Sequence, residues 1–99
     1  MYFVIIAHDS ENSLPLRKKH SNEHRSRLIQ LQQQGKMLVA GPCPITESES
    51  SIESGVSGSI IIAEFENLAT AQTWANEDPF LREGIYTSVS VKPFIKFLP

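Results

Sequence analysis

Three histidines, His8, His20 and His24, are the side chains of this 99-residue sequence whose ordinary chemistry moves protons near neutral pH. His24 stands out because of the segment that carries it, SLPLRKKHSNEHRSRLIQLQQQG at positions 13–35. Ser13 suits a helix N-cap, Pro15 suits the first turn, and Gly35 suits the left-handed residue just past a C-terminus. Counting by threes and fours, Leu31, Leu28, His24, His20 or Ser21, and Arg17 share one stripe. The C-terminal half of that stripe is aliphatic, as a core-facing helix requires. Its N-terminal half turns to imidazole and guanidinium, which points to a polar pocket at that end. An imidazole there needs an acid to become a tuned general base, because a carboxylate fixes the tautomer and favours the imidazolium formed on proton uptake. The candidate acid is Asp78, and the elements decide whether it can reach.

The run YFVIIA at positions 2–7 is dense in β-branched residues and reads as a central strand rather than a signal peptide, having no basic flank before it and no small-residue cleavage site after it. HDSEN is a polar turn into the long helix. KMLVAGP is a second strand closed by Gly41-Pro42, and residues 44–55, including Glu47, Glu49 and Glu53, form an exposed acidic loop. VSGSIIIAEF is a third strand with Gly58 and Ser59 at its start. Asn67 caps a second, shorter helix carrying Leu68, Ala71 and Ala75 inward, which ends before Asp78 because Pro79 disfavours helical geometry there. Gly84 closes a turn into IYTSVSVKPFIKF, a last strand whose Pro93 suits an edge or a bulge.

The order βαββαβ predicts a single α+β domain over residues 1–99, a ferredoxin-like sandwich of a four-stranded antiparallel sheet with both helices on one face. Following the chain up and down that topology collects one rim: the end of the first strand, the N-terminal half of the long helix, Gly41-Pro42, Gly58-Ser59, Asp78 and the neighbourhood of Tyr86. His24 is thus expected beside Asp78. A purely structural reading stands next to this one. A histidine one turn from a leucine is commonly bonded to a backbone carbonyl, and Asp78 before Pro79 can organise a turn.

Strands one and three are apolar at both parities, whereas a one-sided antiparallel sheet alternates. The second sheet face is therefore expected to pack on another copy of the chain, giving a homodimer, since the alternative is an apolar face of several hundred Å² in water, on the order at which monomers become unusual.

The totals exclude several classes. At 40% hydrophobic, 20% charged and a formal charge of −2, the chain is an ordinary globular one with no field favouring nucleic acid. No window approaches the ~18 apolar residues of a membrane span. Cys43, the single cysteine, has no internal partner and sits between two prolines, which reads as a packed thiol in a reducing, cytoplasmic setting. His20 and His24 have helical i,i+4 spacing, but no cysteine or carboxylate supports a metal site, and no phosphate-loop or dinucleotide glycine pattern is present. Neither a metal nor another cofactor is expected. Trp74 and Phe80 are expected to close the core.

Taken together, YFVIIAHD, Arg17 with His24, Arg27 and Leu28, LVAGP at 38–42, GS at 58–59, AEFENL at 63–68, ANEDPF at 75–80, GIY at 84–86 and VKPF at 91–94 resemble the YciI-like proteins over nearly the whole length. The resemblance implies a ferredoxin-like α+β barrel formed by a dimer, and a histidine–aspartate active site falling on His24 and Asp78. It also implies enzymatic chemistry, because a relative removes HCl from a chlorinated hydroxyquinol. The chain departs from the family pattern at Ser21, where an arginine is usual, and at His8, where a glutamine is usual, so its rim is suited to a different ligand.

The expectation is a cofactor-independent lyase or isomerase acting on a small phenolic or carbonyl substrate. His24 moves the proton, Asp78 orients it, Arg17 and Ser59 hold an anionic oxygen, and Gly41 and Pro42 shape the wall. Two other readings stay open: a non-catalytic module binding a small ligand at the same rim, and a haem-binding or cofactor-free oxygenating barrel, for which no axial-ligand signature is seen.

Overall fold

The computed structural model describes residues 1–47 and 51–99, so Glu49 of the acidic run lies outside the described residues. Strand β1 (Tyr2–Asp9) leads to helix α1 (Leu14–Gln33), followed by β2 (Met37–Pro44), a single 3-10 turn (Ser51–Ser54), β3 (Val56–Glu64), α2 (Leu68–Asn76), a one-turn helix α3 (Pro79–Arg82) and β4 (Tyr86–Phe94). The four strands form one antiparallel sheet in the order β2-β3-β1-β4. The arrangement is the expected ferredoxin-like one.

The most β-branched segments, β1 and β3, take the two central places, where the ladder is satisfied on both sides. Their register pairs Ile5 with Ile61 and Phe3 with Ala63. Those residues bury themselves with Leu31, Phe65, Ala71 and Ala75 in the main core under the helices. A second, smaller cluster of Ala7, Phe80, Ile85 and Tyr86 lies towards the other end. Helix α1 ends as its glycine requires: Gly35 has φ +73°, and the Lys36 amide closes back on the Leu31 carbonyl at 3.0 Å.

Two expectations at element ends change. Strand β2 does not close at Gly41-Pro42 but pairs on through Cys43 with Gly58 and Pro44 with Val56. Prolines are tolerated there because β2 is an edge strand, with free amide positions on its outer side. Asp78 also does more than follow a helix end. It is the N-cap of α3, its side chain accepting from the Phe80 amide at 2.9 Å, with Pro79 in the first helical position.

Gly58 is required by close approach. A Cβ built there would collide with the Ala7 carbonyl on β1, which is backbone and cannot swing aside. Gly58→Ala is expected to destabilise the fold by about 1–3 kcal/mol, as overpacking does. A urea-unfolding midpoint equal to that of the wild type would contradict this.

Candidate active site

The N-terminal half of α1 stands off the sheet, and a cavity of about 370 Å³ lies between them. Its wall includes Arg17, His24, Gly41, Pro42 and Ser59, together with apolar Leu28, Ile61 and Phe80. Asp78 lies directly behind His24. The structure thus brings all six sequence-predicted site residues to one end of the fold.

His24 is held on three sides. Its Nδ1 lies 3.0 Å from each carboxylate oxygen of Asp78. Its ring stacks flat on Phe80, with centroids 4.0 Å apart and an interplanar angle of 8°, and meets the Tyr86 ring edge-on at 6.2 Å. An ionised carboxylate only accepts hydrogen bonds, so Nδ1 carries the hydrogen and donates it. The neutral ring then has its lone pair on Nε2, the nitrogen left for whatever enters the cavity. Side-chain exposure is 12% for His24 and 3% for Asp78, so the pair is shielded but the imidazole is reachable.

Asp78 has a second cation behind it. Arg27 Nη1 is 3.7 Å from Asp78 Oδ2, Nη2 donates to the Trp74 carbonyl, and the guanidinium lies 4.2 Å over the Trp74 ring. Burial holds the Arg27 guanidinium below its ordinary value, against the opposing pull of Asp78 and Glu77. The carboxylate therefore sits between an imidazole and an arginine, with the α3 amide beside the imidazole as its second hydrogen-bond donor.

Arg17 is committed deeper in the site. Its Nε donates to Asp9 Oδ2 at 2.6 Å and Nη2 to Asp9 Oδ1 at 2.8 Å, a two-pronged pair with a carboxylate that is fully buried. Nη2 also donates to Ser59 Oγ at 2.9 Å and reaches the Gly58 carbonyl at 3.3 Å. Ser59 accepts from Arg17 and keeps its own hydroxyl hydrogen to donate, with the Tyr86 phenol close by. Ser13 explains the remaining Asp9 lone pair. It occupies the N-cap position of α1 but makes no side-chain capping bond, since its backbone is helical (φ −74°, ψ −17°) rather than extended, and its hydroxyl donates to Asp9 Oδ2 at 2.6 Å. Tyr86 completes this layer. Its phenol is pushed up to about 12, chiefly by burial, with nearby Ser59 opposing, and so it stays protonated through the neutral range.

Asp9, Arg27 and the stacking of Phe80 are features of the candidate site that the sequence reading did not assign. One signal for Asp9 was available: Asp9, Ser13 and Arg17 are spaced by four across a strand-to-helix turn. Among the described residues no three His, Cys, Asp or Glu side chains gather as a metal site, and no helix is long and apolar enough to cross a membrane.

The histidine–aspartate pair thus lies beside a cavity between α1 and a ferredoxin-like sheet, a fold shared with known proteins. The chain matches the YCII-related domain over residues 1–95 and belongs to that family. It is 46% identical over 96 residues to an uncharacterised protein of Haemophilus influenzae, and 45% identical over 96 residues to Protein YciI of Escherichia coli O6:H1; each alignment covers 97% of this chain and 98% of the relative. Among solved structures it is similar to the 5-chloro-2-hydroxyhydroquinone dehydrochlorinase TftG of Burkholderia phenoliruptrix AC1100, solved in complex with 2,5-dihydroxybenzoquinone. The TM-score is 0.83 at 25% identity, over 96% of this chain and 94% of that one.

Proposed function

We propose that the chain is a small cofactor-independent enzyme of the lyase or isomerase type, with His24 as its general base and Asp78 as the group that orients it. The observation that carries this is the doubly anchored Nδ1 of His24, which leaves Nε2 basic at the edge of a cavity large enough for a single aromatic ring. On a hydroxylated ring, Nε2 takes the hydroxyl proton and the oxygen's electron pair forms a carbonyl. The displaced ring pair takes a proton at a ring carbon, giving the keto tautomer, and where no leaving group is present the reaction ends there as an isomerisation. Where that carbon bears a leaving group, loss of a second hydroxyl proton sends its electron pair through the ring and the group departs with its bonding pair, leaving a quinone. Ser59, polarised by Arg17, donates to the oxygen that gains charge, and Gly41 and Pro42 shape the wall. The structural likeness to a dehydrochlorinase supports this class of step.

The test is to offer the purified chain a panel of chlorinated and unchlorinated hydroxyquinols and enolisable carbonyl compounds, following chloride release and solvent deuterium uptake. A His24→Gln control runs beside it. Binding without any chemical change across the panel would favour the ligand-binding module instead.

The same reading includes a homodimer through the open sheet face, in a reducing cytoplasm that suits the free Cys43. Val4 and Ile6 are half-buried on that face, and beside them Ile60 and Val39 are 41% and 54% exposed. Ile60→Lys is expected to convert a dimer to a monomer by analytical ultracentrifugation. A wild-type chain that sediments as a monomer at tens of micromolar refutes the pairing.

A further inference from the structure

The charged side chains on the cavity wall are balanced, with one exception. Arg17 is paired with Asp9 at 2.6 Å and Lys18 with Glu53 at 3.0 Å, while Asp78, behind the neutral His24, faces Arg27 at 3.7 Å. Arg25 lines the same cavity, is exposed, and has no ion pair or hydrogen bond among the described residues. It follows His24 directly and shares with Ser21 and Leu28 the side of α1 that faces the opening. Glu53, the one acid on this wall among the described residues, is already engaged by Lys18. Among the described residues the wall therefore carries one uncompensated positive charge, on a planar fork suited to a carboxylate or to paired oxygens of an ionised enol.

We propose that the cavity selects anionic planar ligands, and that Arg25 is the specificity-determining residue that holds the anionic oxygens at the mouth. The uncharged remainder of the ring then lies between Leu28, Ile61 and Phe80, with its reacting proton towards His24. This rests on the reading of the His24 cavity as the substrate site. It adds a requirement that the acid–base pair does not impose, namely a negative charge remote from the proton that moves. Because Arg25 is open to water, its contribution is screened by salt.

The experiment titrates the full-length chain, by calorimetry and by NMR of the histidine rings, with 2,5-dihydroxybenzoquinone and with hydroquinone. The first is a vinylogous acid, anionic at neutral pH; the second has a similar ring and is neutral. Wild type is expected to bind the anion about tenfold more tightly, and 0.5 M salt to erase most of the difference. Arg25→Gln is expected to reduce anion affinity to the hydroquinone level while leaving hydroquinone binding unchanged. Equal affinities in wild type, an anion preference that survives Arg25→Gln, or no binding of the quinone at all overturns the proposal. The underlying site reading fails separately, if neither compound moves the His24 ring signals. An Arg25-dependent preference without that movement places the anion outside the cavity and overturns the proposal as well.

Discussion

His24→Gln is expected to lower turnover by roughly two to four powers of ten on any substrate the wild type converts, the range that general acid–base assistance supplies. Glutamine is the informative replacement because it keeps a polar amide near Asp78 but has no basic nitrogen. Both replacements lose the ring stacked on Phe80, but the glutamine side chain still covers that face, whereas alanine leaves it open and adds a larger packing loss to the chemical one. The fold is expected to survive, since Asp78 keeps the Phe80 amide and the nearby Arg27 as partners. The comparison is therefore kcat for wild type and variant, together with a thermal melt showing that both are folded. A variant within threefold of wild type in kcat, on a substrate that wild type clearly turns over, would remove His24 from the mechanism and leave the cavity a binding site. Asp78→Asn separates the two roles further: it preserves a side-chain acceptor for the α3 amide but removes the charge that favours imidazolium formation.

The parts of this site that could be read from the sequence are those that depend on periodicity and chain direction. Leu28, Leu31 and Gly35 set the facing and the end of α1, and antiparallel topology alone then carried His24 to the level of Asp78. Asn67 behaves as a cap should, accepting from the Thr70 amide at 2.8 Å. What escaped depends on competition between partners. Ser13 has the identity of a capping residue, yet its hydroxyl is turned to donate to the buried Asp9 carboxylate and accepts from no helix-end amide. The Asp78-Pro79 dipeptide is a stop signal for one helix and a start signal for the next, and the sequence does not say that a further turn follows. Gly41-Pro42 looks like the end of a strand unless one knows that the strand is at an edge. Asp9 lay within a polar run where solvent was the default partner, and the adjacent register shift between His8 and Asp9 that accompanies its inward placement is not written in residue type.

That inward turn makes Asp9→Ala the second large effect. Arg17 has a side chain only 11% exposed and is bonded to Asp9 through two nitrogens, so removing the carboxylate leaves a guanidinium confined among Phe80, Tyr86 and Ser59 without its counterion. Breaking one half of a buried pair costs on the order of 3–5 kcal/mol, a large share of the ~5–15 kcal/mol that holds a domain folded. At roughly 4–8 °C per kcal/mol for a chain near this size, the melting temperature is expected to fall by more than about 12 °C. The penalty belongs to the orphaned cation rather than to the lost contact, and a double variant tests that distinction. Asp9→Leu with Arg17→Met removes both charges and is expected to recover most of the stability. It should not recover activity, because Ser59 then has no cation polarising its hydroxyl. A double variant as unstable as Asp9→Ala would mean that the ion pair itself ties β1 to α1. An Asp9→Ala chain melting within 2 °C of wild type would mean that Arg17 finds water, and the site would then be far more open than the burial of Asp9 implies.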